Sequence, residues 1–238
     1  MNTQPLVSVC IPTYEMKGKG VEYLEYSLQI LSQQTYSNIE IIISDHSITN
    51  VIKDLCDKWK DKLNIKYYHN EQNRGISSCN INNALKKANG EVIKILFQDD
   101  FLLDEYSIET QLVHLLGNYN HWLVTACAHT KDDYRINNPH YPKYHDGIQY
   151  GENTISSPSV LMFKNENMIK FDENLFWLMD VDYYKRMYDK FGLPSICNYI
   201  TVVNREHSNQ VSNTLATQEV RQQELDYIIK KYGQNENI

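Results

Sequence analysis

Two adjacent carboxylates, Asp99 and Asp100, close the apolar run Val92-Ile93-Lys94-Ile95-Leu96-Phe97-Gln98. Neighbouring like charges repel, so such a pair is tolerated where it is exposed or where a cation or proton neutralises it. The run reads as a buried strand, and ligands bind beyond the carboxyl edge of open α/β sheets. The pair is therefore a candidate divalent-cation site, set against the plainer reading of an exposed loop. Asp45 ends a second apolar run, Ile39 to Ser44; it suits donors on a nucleotide base or ribose, or an Asx turn that caps the next helix. Arg74, in Asn73-Arg74-Gly75, offers a planar fork for phosphate or carboxylate, or is a surface residue beside a turn. Asp180, in Leu178-Met179-Asp180-Val181-Asp182, stands where a helix should begin. There the helix dipole favours the ionised form a general base needs, although a plain capping aspartate fits the spacing equally. His207 adds an imidazole, and two carboxylates with one imidazole suit a divalent cation. The chemistry this set could perform is transfer from an activated phosphate ester, with a cation for the leaving group and a base for the incoming hydroxyl.

Strands and helices must bring these residues together. Leu6 to Ile11 reads as a buried strand stopped by Pro12, and Val21, Leu24, Leu28 and Leu31 set a helix over 21–34. Ile39 to Ile43 is a second strand, Val51 to Trp59 a helix, Ile65 to His69 a third strand, and Ile76 to Ala88 a helix closed by Asn89-Gly90. This alternation predicts an α/β, doubly wound, mostly parallel sheet. Beyond Asp100, a helix around Ile108 to Leu116 and a strand at Trp122 to Cys127 follow. Residues 129–157 lose periodicity yet keep many aromatics, which suits a loop folded over a site. A short strand at Val160 to Phe163, a helix from Asp180 to Tyr188, broken strand material at Ile196 to Val203 and an amphipathic helix from Leu215 to Tyr232 complete the chain.

Composition narrows the function. The 238 residues carry a formal charge of -7 and no basic cluster fit for a nucleic-acid backbone. The odd number of cysteines, five, widely spaced, suits reduced core thiols and a cytoplasmic location. Every apolar stretch is interrupted before 18 residues, so no transmembrane segment is expected. The G-x-G-x-x-G, P-loop, G-x-S-x-G and H-E-x-x-H patterns are absent. Ser156-Ser157-Pro158-Ser159 is either a shaped wall of a binding site or a turn.

Taken in order, Val9-Cys10-Ile11-Pro12-Thr13-Tyr14, Ile41-Ile42-Ile43-Ser44-Asp45, Asn73-Arg74-Gly75, Phe97-Gln98-Asp99-Asp100, Met179-Asp180 and Arg205-Glu206-His207 resemble the family 2 glycosyltransferases with a GT-A fold. The resemblance covers about residues 5–212. It implies a nucleotide-sugar donor, with a UDP-sugar favoured, bound by Pro12, Thr13, Tyr14, Asp45, Arg74 and Asp99. It implies Mn²⁺ or Mg²⁺ at Asp99, Asp100 and His207, and Asp180 as the base of an inverting reaction. Residues 1–128 would form the nucleotide-sugar part and residues 129–238 the part that binds the acceptor and supplies the base. The acceptor would be a saccharide, a lipid-linked glycan or a glycoprotein, and peripheral membrane association is compatible with the lipid-linked case. Two positions depart from the family pattern: Phe97 replaces an aspartate assigned to ribose or metal, and Met179 replaces a glutamate before the base. The Gln-x-x-Arg-Trp motif of processive synthases is absent, so transfer of a single sugar is expected. A metal-dependent nucleotidyltransferase and a noncatalytic sugar-binding protein are the alternatives.

Overall fold

The computed structural model describes residues 4–207, 210 and 216–234; Leu215 lies outside them. Four strands rich in β-branched residues, β1 (Val7–Thr13), β2 (Ile39–Asp45), β3 (Ile65–His69) and β4 (Val92–Ile95), pair in parallel in the order β3-β2-β1-β4. Helices α1 (Gly20–Leu31), α2 (Val51–Trp59) and α3 (Ser77–Lys87) connect them and bury the expected stripes, among them Leu24, Leu28, Ile52, Leu55, Ile81 and Leu85. Every residue of β1 is buried, as a central strand covered on both faces requires.

Past β4 the direction changes. The remaining elements are β5 (Phe101–Leu102), α4 (Ser107–Leu116), β6 (Trp122–Thr130), β7 (Asn137–His140), β8 (Leu161–Lys164), α5 (Met179–Phe191), β9 (Ser195–Arg205) and a last helix, here α6 (Gln218–Tyr232). The sheet continues from β4 through β8, β6 and β9 to β5, with β7 on β6. Strand β8 is antiparallel to both β4 and β6, β9 is parallel to β6, and β5 and β7 are antiparallel to their partners. The sheet is thus mixed, which corrects the mostly parallel, doubly wound expectation. A parallel crossover needs a helix-length connection, whereas β6 reaches β8 through β7 and short 3-10 turns.

Two local corrections bear on the site. Pro12 does not stop β1, which runs on to Thr13. The Cys10 carbonyl faces β4, where it accepts the Leu96 N–H at 3.0 Å, and Pro12, two residues on, faces the same side. Strand β4 has ended there, so no ladder bond is lost by the missing proline donor. Gly90 is required by space rather than by a left-handed stop: a Cβ would sit 2.6 Å from the Leu6 carbonyl oxygen as the chain crosses the start of β1. No described helix is long and apolar enough to cross a membrane.

Candidate active site

A cavity of about 810 Å³ opens beyond the carboxyl ends of β1 to β4, within the roughly 300–1,000 Å³ typical of small-molecule sites. Pro12 and Tyr14 reach it from β1, His46 from β2, Arg74 from the turn after β3, and Asp99 and Asp100 from the turn after β4. The second half of the chain closes it with Ser156 and Ser157, with Phe176 to Val181 at the entry to α5, and with Asn204 and Glu206 at the end of β9. Arg74, Asp99 and Asp180, far apart in sequence, thus line one recess.

Asp99 and Asp100 lie not in β4 but on the turn that follows, closed by the Asp100 N–H donating to the Phe97 carbonyl at 3.0 Å. That turn gives the two carboxylates different surroundings. Asp99 is partly exposed, and its Oδ2 stands 3.1 Å from His207 Nε2. Asp100 is 4% exposed and accepts the Ser157 hydroxyl at 2.9 Å, while Asn204 Nδ2 donates to Ser157 Oγ at 2.8 Å. Burial first, then the Asp99 charge, raises the Asp100 pKa, and hydrogen bonds from Ser159, Asn204 and Ser157 oppose the rise. Beneath it lies Lys94, fully buried on β4, with Nζ donating to the Ser159 carbonyl. Burial pushes the Lys94 pKa down to about 7 against the pull of Asp100 and Cys127. The wall formed by Ser157 and Ser159, one of two readings of that segment in sequence, is therefore where Asp100 is anchored.

Among the described residues, no group of three or more His, Cys, Asp or Glu side chains gathers as a metal cluster. The donor pair that does form is Asp99 with His207. Of its two donors, the carboxylate oxygen suits Mn²⁺ or Mg²⁺, and the imidazole nitrogen is a softer ligand beside it. Asp100 faces Ser157 instead. Arg205, which the spacing alone did not single out, braces the pair: it is 3% exposed, Nη1 donates to the Asp99 carbonyl at 2.9 Å and Nε to Asp133 Oδ1 at 2.7 Å. Its guanidinium lies 4.6, 5.0 and 4.6 Å from the ring centroids of Tyr23, Tyr26 and Phe101, an aromatic cage that favours a desolvated cation.

On the β1 side of the cavity, Tyr14 is 43% exposed and its N–H donates to Gln98 Oε1 at 2.9 Å; Gln98 in turn donates to the Gly20 carbonyl at 2.8 Å. Gln98 thereby fixes the exit of β1, a role that an amide amid apolar residues only faintly signals. Arg74 lies at the rim, with Nη2 2.9 Å from His69 Nε2. Thr13 and Asp45 are fully buried behind the wall and do not line the cavity. Asp45 accepts Thr13 Oγ1, the Ser47 N–H and Ser47 Oγ at 3.2, 2.9 and 2.6 Å on one oxygen, and Tyr67 Oη at 2.7 Å on the other.

Asp180 lies in the first turn of α5, whose N-cap is Leu178. The dipole there favours a charged aspartate, yet burial first, then Asp100 and Glu224, raise its pKa to about 7. Charge and desolvation outweigh the dipole because Glu224, from α6, already takes the amide hydrogens of Phe176, Trp177 and Leu178. A carboxyl poised near neutrality beside a cleft is what proton transfer requires.

Residues 8–206 match the family described as Glycosyl transferase family 2. The chain belongs to this family. Among the relatives, the abequosyltransferase RfbV of Salmonella typhimurium is 33% identical over 139 residues, 57% of this chain and 40% of that protein. Alignments with three curated relatives, that one included, span 33–44% of the relatives' lengths. The fold matches that of Staphylococcus aureus TarS 1–349 crystallised with UDP-GlcNAc, at a TM-score of 0.75 and 18% identity, covering 95% of this chain and 66% of that one. It also matches the Pyrobaculum calidifontis mannosyltransferase in complex with GDP-Man and Mn²⁺, at 0.62 and 19%, covering 97% and 64%. These likenesses make the architecture GT-A-like. Within this family 2 chain, Phe97 lines the cavity and donates its N–H to Ser159 Oγ at 2.9 Å, while Met179 is 4% exposed.

Proposed function

We propose that this protein is an inverting, non-processive glycosyltransferase that moves one sugar from a UDP-sugar to a hydroxyl of a saccharide, lipid-linked or glycoprotein acceptor in surface-glycan synthesis. The observation that carries the reading is the single cavity onto which Tyr14, Arg74, Asp99 and Asp180 all open. Pro12, Tyr14 and Arg74 would hold the nucleotide, with Thr13 and Asp45 shaping the wall behind it. Residues 1–128 would thus serve the donor, and residues from 129 onward the acceptor and the base. The five free, buried cysteines support a reducing, cytoplasmic setting.

In this reaction Asp180 takes the proton of the acceptor hydroxyl as its oxygen attacks the anomeric carbon. The bond to the nucleoside diphosphate breaks on the opposite face, and one displacement inverts the sugar. Mn²⁺ or Mg²⁺ held by Asp99 and His207 would offset the charge that gathers on the departing diphosphate. Asp100, tied to Ser157, would fix the turn that presents Asp99.

A panel of UDP-glucose, UDP-galactose and UDP-N-acetyl sugars, supplied with Mn²⁺ or Mg²⁺ and simple glycan acceptors, tests the reading. One donor is consumed and the product anomer, read by NMR, is inverted; retention of configuration, or no turnover of any nucleotide sugar, overturns it. The pH dependence follows from Asp180, whose pKa lies at about 7. Below that pH the carboxyl is protonated and cannot accept a proton. The rate constant kcat/KM therefore rises about tenfold per pH unit up to the pKa and levels above it, and a profile flat from pH 5 to 8 contradicts the assignment.

A further inference from the structure

Helix α6 contributes a buried carboxylate that the reaction above does not consume. Glu224 is 7% exposed. Its Oε1 accepts the N–H groups of Phe176 and Trp177 at 2.7 and 3.1 Å, and its Oε2 those of Trp177 and Leu178 at 2.9 and 2.7 Å. Three consecutive amides converging on one carboxylate form an anion-binding nest, and charge-assisted bonds of this kind are about twice as strong as neutral ones. Leu178 is the N-cap of α5, and Asp180 follows two residues later. The entry to α5 is therefore capped from another helix.

The rest of α6 is fastened to the same stretch. Tyr227 Oη and Lys231 Nζ donate to Asp172 Oδ2 at 2.9 and 2.6 Å. Lys231 Nζ and Tyr232 Oη donate to Asp182 Oδ1, each at 2.7 Å. Residues 172–182 are thus pinned before, at and after the turn that carries Asp180. Without Glu224, the bare amides just before α5 would attract the nearest carboxylate, and a first-turn carboxylate can reach back to the N-cap amide.

We propose that Glu224 is a positioning residue for sugar transfer: by occupying the amides of Phe176, Trp177 and Leu178 it denies them to Asp180 and keeps the Asp180 carboxylate at the cavity. The proposal rests on the reading of Asp180 as the base.

The test compares Glu224→Ala, Glu224→Gln, Asp180→Asn and the double variant Asp180→Asn/Glu224→Ala. The readouts are turnover of whichever UDP-sugar in the panel reacts fastest, UDP affinity by calorimetry, and amide hydrogen exchange. Displacing a reacting group by about 1 Å costs on the order of 10²-fold in rate. Glu224→Ala should lower kcat by about 10–100-fold, leave donor KM and UDP affinity within about threefold, and raise exchange in the peptide spanning 172–182. Glu224→Gln keeps the size and one acceptor oxygen, so it serves if the alanine variant fails to fold, and it should lose less. In the Asp180→Asn background Glu224→Ala should add little, because both act through one group. Wild-type kcat in a folded Glu224 variant overturns the proposal, as does a parallel loss of kcat and UDP affinity. Normal turnover in Asp180→Asn overturns the base assignment instead, whatever the Glu224 variants show.

Discussion

Asp180→Asn lowers turnover by about 10²–10⁴-fold, the usual contribution of a positioned general base, and leaves UDP affinity within about twofold. Asparagine keeps the shape of aspartate but cannot take a proton, so the step that needs the proton removed fails while the proposed nucleotide contacts, Tyr14 and Arg74 on the cavity wall, stay intact. The same change has a second, opposite effect on stability. Burial, Asp100 and Glu224 hold the Asp180 pKa at about 7, above its ordinary 3.8. The folded state therefore prefers the neutral form, and stability is lost as pH rises from about 4 through about 7. Asparagine is neutral at every pH. The variant should match wild type in Tm at pH 4 and exceed it at pH 8, where each kcal/mol is worth about 2–4 °C for a chain of this size. A variant that is inactive yet no more stable at pH 8 would place the carboxylate in a solvated site; one that remains active would remove Asp180 from the chemistry.

The first half of the fold was legible because its signals are local. The runs Leu6 to Ile11, Ile39 to Ile43 and Ile65 to His69, and the stripes of Leu24 and Leu28 or Ile81 and Leu85, each follow one period, and alternating strands and helices leave one simple arrangement. Strand direction beyond Asp100 was not legible. The pairing of β8 between β4 and β6, and of the two-residue β5 with β9, depends on contacts far apart in sequence. The proline reading failed for the same reason: Pro12 is harmless only because β4 ends beside it. At the site, residue types with sharp chemistry stood out, and the cavity brings Asp99, Asp100 and Asp180 together, with His207 against Asp99. Their supports did not stand out. Asn204, Arg205 and Glu224 are ordinary residues whose partners are 46 to 106 positions away, and nothing in local spacing announces such a bond. Asp45 shows the converse, a conspicuous carboxylate whose oxygens are taken by its own fold.

Asp99→Ala abolishes the Mn²⁺ dependence of UDP binding. Under the proposed reading the wild-type Asp99 carboxylate beside His207 repels a diphosphate until a cation lies between them, so affinity in Mn²⁺ should exceed affinity in EDTA. Changes just outside a metal's ligand set already cost about 10–100-fold, and loss of a ligand should cost at least that in Mn²⁺. In EDTA the sign reverses. Removing a negative charge a few ångströms from the diphosphate relieves a repulsion of about 1 kcal/mol in a well-solvated site, so the alanine variant binds UDP as well as wild type or slightly better. This crossover separates a metal ligand from a residue that merely shapes the pocket, whose loss would weaken binding in both buffers. Asp100→Asn provides the contrast: with its carboxylate on Ser157, it should keep the Mn²⁺ response. Calorimetry of UDP in Mn²⁺ and in EDTA for wild type and both variants decides it. Equal Mn²⁺ dependence in wild type and Asp99→Ala would move the cation site away from the turn after β4.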